Sequence, residues 1–316
     1  MNTKVAVTSK SFSKNPFLRE ALLKVYPNSK FNDQGLNFTN ETLIEFLKGY
    51  DKAIIGLEKI NSEVLEALPN LILVSKYGVG LDNMDLKALL QKDVLLSWTG
   101  GVNRRGVAEL ALCFMINVIR GVNLTNKKLL GGTWAQHIGF GLREVKVGLI
   151  GLGHIGQELA PILRFMGVEV WAYDIMDKNE FASRHGIKFA SFEDVLKNCD
   201  VVSLHIPHTE KTHLIMNDTR LKIMKKGSFL INTSRGGIVD EEALYENLIS
   251  GHLAAAAFDV FMEEPCRDEK LLNLENFLAT SHIAGSSRES VIAMGLAAIE
   301  GLEKGKKAEH SNFFNF

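Results

Sequence analysis

Apolar residues along this chain follow two rhythms in turn, short continuous runs and stretches spaced three and four apart. That alternation predicts strands and helices one after another. Val5-Ala6-Val7, Ala53-Ile54-Ile55, Leu71 to Val74 and Val94 to Leu96 predict buried strands. Asn15-Pro16 has the form of a helix cap with proline at the first helical position, and Asn40 opens a helix with Leu43, Ile44 and Leu47 on one face. From Arg105 to Arg120, Val107, Leu110, Ala111, Phe114, Met115 and Val118 share a broad apolar face, which Gly121 ends. Gly131-Gly132-Thr133-Trp134 and Gly139-Phe140-Gly141 then predict an irregular segment, in which Trp134 either anchors a partner subunit or fills a local gap. Further strands are expected at Asp200 to Ile206, Phe229 to Thr233 and Ala254 to Val260, with helices at Phe192 to Lys197, Asn217 to Lys225 and Asp240 to Ile249. Ser286 with Glu289 three residues on predicts a capping box for a last helix running to about Glu303. Strands alternating with helices predict an α/β fold with parallel sheets, and 316 residues suffice for two domains.

One stretch, Val145 to Asp174, is more specific. An apolar run (Val145 to Ile150) leads into Gly151-Leu152-Gly153-His154-Ile155-Gly156. Ile155, Leu159, Ile162, Leu163 and Met166 follow at helical spacing up to Gly167, and a second strand (Val168 to Tyr173) ends at Asp174, 23 residues past Gly151. Strand, GxGxxG, helix, strand and acid in this register form a dinucleotide site. Gly151 makes the tight turn, Gly153 lets a pyrophosphate approach the backbone, and Gly156 lets helix pack on strand. The helix N-terminus offers N–H groups and a positive dipole end. Asp174 accepts from the ribose 2′-hydroxyl of NAD and repels the 2′-phosphate of NADP, and neither Ile175 nor Met176 supplies a cation for that phosphate. NAD is the expected cofactor. Pro161 falls within the predicted helix, where proline kinks a helix or costs ~3 kcal/mol.

Composition adds mainly exclusions. Hydrophobic content of 46% and charged content of 23% are ordinary for a soluble globular protein, and a net charge of -1 leaves no footprint for nucleic acid or an anionic membrane. Cys113, Cys199 and Cys266 show no metal-ligand spacing and imply no disulfide framework; Cys113 and Cys199 read as packing residues. The start lacks a signal-peptide core, and the apolar segment Ala108 to Ile119 is too short and polar to span a bilayer, so a soluble cytoplasmic protein is expected.

Three polar residues fall where strands of the second half end: Arg235, Glu264 and His282. Ligands of open parallel sheets bind beyond those ends. Reducing a 2-oxo acid requires a hydride, a proton for the forming alkoxide and a cation for the substrate carboxylate. Arginine matches a carboxylate with its planar fork, histidine exchanges protons near neutrality, and a neighbouring carboxylate such as Glu264 fixes the ring. The same residues also fit blander roles: a structural ion pair, a solvated loop acid (Glu263 is as available as Glu264) and a satisfied core histidine. Likewise Lys76-Tyr77-Gly78-Val79-Gly80 either bares N–H groups to an anion or is a plain turn.

YGVGLDNMD (77–85), GLGHIG (151–156), LHIPHTEKTHLI (204–215), INTSRGGIVDEEAL (231–244), AFDVFMEEP (257–265) and SHIAGSS (281–287) together resemble the D-isomer-specific 2-hydroxyacid dehydrogenases almost end to end. That resemblance implies a catalytic set of Arg235, Glu264 and His282, with His282 as proton donor and acceptor. It implies that His154 and Ile155 contact the pyrophosphate and that Val79, Ile206, Thr233, Ser234, Arg235, Asp259, His282 and Gly285 line the cofactor. It also implies that Gly78, Val79 and Gly80, with Lys76 and Arg235, hold the substrate. The implied fold is two Rossmann-like or flavodoxin-like parallel-sheet domains, with the NAD-binding domain (99–283) inserted into a substrate-binding domain (1–98 and 284–316). The crossings would hinge a closing cleft, and a homodimer would form through the nucleotide domain with Trp134 in its arm.

Departures bear on the substrate. Where phosphoglycerate members of the family carry an arginine, this chain reads Ile55-Gly56-Leu57, whereas Lys76, in place of another arginine, could still offer a point charge. The regulatory extension of some phosphoglycerate enzymes is missing, and SNFFNF (311–316) only loosely resembles the family's last strand. These features lean away from phosphoglycerate oxidation, which stays an alternative, and toward a reductase of a small 2-oxo acid. Glu264 beside a histidine argues against the related formate dehydrogenases. A dinucleotide sensor like the C-terminal-binding corepressors is the alternative from another class.

Overall fold

In the computed structural model, which describes residues 3–309, the chain divides into two compact units, 1–103 with 286–316 and 104–285. Residues 311–316 therefore lie outside the described residues.

The first unit is built on five parallel strands: β1 (Val5–Val7), β2 (Lys30–Phe31), β3 (Lys52–Ile55), β4 (Leu73–Lys76) and β5 (Leu95–Ser97), in the order β2-β1-β3-β4-β5. Alternation along each strand feeds two cores. Val5, Val7 and Ile54 point to one face, and Ala6, Ala53 and Ile55 to the other. The helix Arg288–Gly301 returns to this unit, where Met294 and Ala298 join the first of those cores and Ser75 Oγ donates to the carbonyl of Ala298 at 2.7 Å. Asn15 caps the helix Pro16–Val25 as expected, accepting from Leu18 N at 3.1 Å.

The second unit carries seven parallel strands: β6 (Lys146–Ile150), β7 (Glu169–Tyr173), β8 (Lys188–Phe189), β9 (Val201–Leu204), β10 (Ser228–Asn232), β11 (Leu253–Phe258) and β12 (Phe277–Ala279). Their order is β12-β11-β10-β9-β6-β7-β8. The chain leaves β6 toward β7 on one side and later returns to its other side as β9. This is a topological switch point, where such sheets bind dinucleotides. Because every strand is parallel, all seven carboxyl ends share one edge. One face of the sheet is covered by the helix Arg104–Arg120 through Ala111, Phe114, Met115 and Val118, the face read from its periodicity.

Several expectations need correction. The fourth strand runs Leu73–Lys76 rather than 71–74, because its backbone pairs with β3 from Leu73 opposite Lys52 to Lys76 opposite Ile55. The last helix is capped by Ser287, not Ser286: Ser287 is extended and its hydroxyl accepts from Ser290 N at 3.1 Å. Cys113 is exposed, since it faces away from the buried stripe of its helix, whereas Cys199 is buried and burial pushes its thiol up to about 12. Gly121 ends one helix but starts another, Val122–Leu130, by adopting φ +63, a turn hidden from periodicity. Trp134 is 85% exposed in the chain alone and fills no local gap. The helix His154–Phe165 continues through Pro161. Among the described residues no single helix is long and apolar enough to cross a membrane.

Candidate active site

The glycine turn after β6 is built as its spacing requires. Gly151 has φ +103, and a Cβ there would lie 2.6 Å from the carbonyl oxygen of His205 at the end of β9. A Cβ on Gly156 would lie 2.3 Å from the carbonyl oxygen of Gly151. Gly153 is different: nothing lies within 4 Å of where its Cβ would be. Gly153 is also the N-cap of the twelve-residue helix His154–Phe165, and no side chain caps that end. Open space before uncapped N–H groups at a positive dipole end suits a pyrophosphate. His154 is exposed there and Ile155 half-buried.

Asp174, at the end of β7, is tied to that turn. Its carboxylate accepts from Leu152 N at 2.7 Å and Met176 N at 2.9 Å. Two acceptor positions taken leave about two more for ribose hydroxyls. Farther along the edge, the buried Thr233 Oγ1 and His205 Nδ1 have no hydrogen-bond partner among the described residues. Burial pushes the His205 imidazole down to about 4, so the ring is neutral at pH 7. Half-buried Ile206 follows it. Orphaned polar atoms, an open glycine turn and a fixed carboxylate along one edge fit NAD.

At the end of β10, Asn232 organises the turn that bears Arg235. Its Oδ1 accepts from Ser234 N at 3.1 Å and Ser234 Oγ at 2.8 Å, and its Nδ2 donates to the carbonyl of Arg235 at 3.0 Å. Half-buried Arg235 donates from its guanidinium to the carbonyl of Ser234 at 2.7 Å. Gly236 then passes so close to the next loop that a Cβ would overlap the Phe261 carbonyl. The turn carrying Arg235 therefore packs directly on the loop that leads to Glu264.

Glu264 and His282 meet. Glu264 Oε2 lies 2.8 Å from His282 Nδ1, and Oε1 accepts from Phe261 N at 3.1 Å. Glu264, not Glu263, is thus the partner. With Nδ1 engaged, Nε2 is the nitrogen left to exchange a proton, and it belongs to a side chain 46% exposed. Asp259, fully buried at the end of β11, holds the backbone of this turn. Its carboxylate accepts from Ile283 N and Ala284 N, both at 2.8 Å, and from Thr280 Oγ1 at 2.5 Å. Its carbonyl accepts from His282 N at 2.9 Å. Half-buried Gly285 ends the turn.

Sequence reasoning missed Asn232 and Glu241. The carboxylate of Glu241 accepts from Met262 N at 2.7 Å, and burial holds its carboxyl above the usual range. A buried asparagine closing an apolar strand was the available signal for the first; nothing local marks the second.

Residues 112–284 match the NAD-binding domain of the D-isomer specific 2-hydroxyacid dehydrogenases. The chain belongs to that family. Its members are NAD-dependent oxidoreductases acting on the CH–OH group of 2-hydroxy acids. The chain is 33% identical to the D-3-phosphoglycerate dehydrogenase of Archaeoglobus fulgidus over 91% of its own length and 55% of that protein. It is 32% identical to the hydroxypyruvate reductase of Thermotoga maritima over 92% of its length and 96% of that protein. The chain thus spans about half the length of the first relative and nearly all of the second. Among solved structures, the D-lactate dehydrogenase of Aquifex aeolicus complexed with NAD and lactic acid superposes with a TM-score of 0.81, at 25% identity over 95% of this chain and 94% of that one.

In the first unit, Gly78 follows β4 with φ +125, and the buried Lys76 donates to the carbonyl of Gly56. Val79 is tied through its carbonyl to Trp98 Nε1 at 2.9 Å, and both Val79 and Gly80 are half-buried.

Proposed function

We propose that this chain is an NAD-dependent D-2-hydroxyacid dehydrogenase that works mainly as a reductase of a small 2-oxo acid. The observation that carries the reading is the 2.8 Å contact between Glu264 and His282 Nδ1. When bound, NADH supplies the hydride to the substrate's carbonyl carbon. His282 gives a proton from Nε2 to the oxygen that becomes the hydroxyl, and Glu264 keeps the ring turned for that transfer. Arg235 pairs with the substrate carboxylate, and within the first unit the backbone N–H groups of Gly78 to Gly80 are the candidates for holding the acid. In the reverse direction the same nitrogen takes the hydroxyl proton.

Residues 104–285 hold the cofactor in this reading, through Gly151 to Gly156, Asp174, Ile206, Thr233, Ser234 and Gly285. The first unit recognises the acid. A homodimer formed through the second unit would cover Leu130, Trp134 and Ile138, which are 80%, 85% and 97% exposed in the chain alone.

The test is NADH oxidation by purified protein against glyoxylate, hydroxypyruvate, phosphohydroxypyruvate, pyruvate and a branched 2-oxo acid, with His282→Ala alongside. Turnover of one acid that disappears in the variant supports the assignment. Tight NADH binding with no turnover on any acid overturns it.

A further inference from the structure

In the first unit the carboxylate of Glu58 accepts from a hydroxyl and a backbone N–H at the carboxyl ends of neighbouring strands. Glu58 lies in the turn after β3. Its Oε2 accepts from Thr8 Oγ1 at 2.5 Å and from the backbone N–H of Gly56 at 2.9 Å. Thr8 is fully buried at the end of β1, so its hydroxyl is fixed. A hydroxyl and a backbone N–H at the carboxyl ends of neighbouring parallel strands are what a phosphate group binds. Here the chain satisfies them with its own negative charge.

The arrangement is held in place. Asn83 Nδ2 donates to the carbonyls of Gly56 at 3.1 Å and Glu58 at 2.6 Å. The buried ammonium of Lys76 donates to the carbonyl of Gly56, which joins the Gly56–Glu58 turn to the strand leading into Gly78-Val79-Gly80. Leu57, between them, is 88% exposed. If the Gly78–Gly80 turn holds the carboxylate of the acid, the neighbouring Gly56–Glu58 turn borders the substituent on its third carbon. A phosphate ester would bring nearly two negative charges to a fixed carboxylate whose donors are already engaged, while the neighbouring Lys76 ammonium is buried and turned to the Gly56 carbonyl. A hydroxymethyl group or a hydrogen would bring none.

We propose that Glu58 is a specificity-determining residue that excludes phosphorylated 2-oxo acids from this site and selects acids with an uncharged substituent. The inference rests on the dehydrogenase reading above and narrows its substrate class. Glu58 touches no reacting atom; it acts on the choice between substrates.

The experiment compares kcat/KM for phosphohydroxypyruvate with that for the best unphosphorylated acid in wild type, Glu58→Gln and Glu58→Asp. The glutamine retains an acceptor for Thr8 and Gly56 without the charge, and the aspartate retains the charge. The wild type is expected to favour the unphosphorylated acid. Glu58→Gln should shrink that preference roughly tenfold, mainly through KM for the phosphate ester, while Glu58→Asp keeps it. A merely structural role would lower both acids alike and leave the ratio where it was, which overturns the proposal. Wild-type preference for the phosphate ester also overturns it, and decides the matter even if Glu58→Gln does not fold. Loss of turnover on every acid in the wild type removes the dehydrogenase reading itself; an unchanged ratio with turnover intact removes only the role given to Glu58.

Discussion

Asp259 holds His282 without touching its ring. The backbone N–H of His282 donates to the carbonyl of Asp259 at 2.9 Å, and the Asp259 carboxylate takes the N–H groups of the next two residues. His282 adopts φ +55, a left-handed conformation that a non-glycine residue keeps only when its surroundings impose it. A buried carboxylate accepting several N–H groups is such a constraint. Asp259→Asn would turn an N–H donor toward another N–H, and should destabilise the second unit by roughly 3 kcal/mol while lowering kcat more than NADH affinity. Urea unfolding and NADH titration, side by side, check both halves.

Removing the imidazole separates chemistry from binding. His282→Ala should lower kcat by ~10²–10⁴-fold with the Kd for NADH little changed. Glu264→Gln keeps a hydrogen-bond partner at Nδ1 but removes its charge, so a smaller loss, about tenfold, is expected. Steady-state rates with fluorescence titration of NADH test the pair. A Glu263→Gln variant should behave as wild type.

Two glycines of one turn should respond in opposite ways. Gly151→Ala places a methyl 2.6 Å from a carbonyl oxygen at positive φ, which should destabilise the fold by ~1–3 kcal/mol. Gly153→Ala meets nothing within 4 Å, so its Tm should stay near wild type. The methyl then stands in the space offered to the pyrophosphate, and NADH affinity should fall by roughly tenfold. Thermal melts with and without NADH distinguish the two.

In the proposed reading Asp174 sets the preference between nicotinamide cofactors. Asp174→Ala should raise KM for NADH by about tenfold and narrow the gap to NADPH, through loss of the 2′-hydroxyl acceptor and of the Leu152 N–H partner. Initial rates with both cofactors read the ratio. A wild-type preference for NADPH would contradict the assignment.

His205 predicts an acid-dependent stability. Burial lowers its pKa in the folded chain to about 4, against ~6.5 unfolded, so the unfolded state binds the proton more tightly. The stability linked to this histidine is fully present above pH ~6.5 and is lost as pH falls toward 4, a change of roughly 3 kcal/mol. Urea midpoints for wild type and His205→Gln between pH 7.5 and 4.5 should converge toward the acid end.

Much of the site is legible in local order. The tight turn at Gly151, the contact at Gly156 and the acid at Asp174 follow from a strand-turn-helix-strand whose parts are close in sequence, so spacing reveals them. Arg235, Glu264 and His282 show because each follows an apolar run that ends at a sheet edge. Where several acids share a loop, spacing is silent: Glu263 and Glu264 look alike until His282, 18 residues on, pairs with one of them.

What the amino-acid sequence determined by itself was the alternation that makes two parallel sheets, the dinucleotide turn and the residue types suited to moving a proton and holding a carboxylate. Each depends on periodicity or on neighbours within about one βαβ unit. The tertiary structure alone decided that Asn232 and Asp259 hold the turns bearing Arg235 and His282, that the Lys76 ammonium meets the Gly56 carbonyl, that Ser287 rather than Ser286 caps the last helix, and that Glu58 reaches the Thr8 hydroxyl at the end of β1. The physical reason is that a hydrogen bond is satisfied by whichever group reaches it. In a parallel sheet the groups at one edge come from strands far apart in the chain.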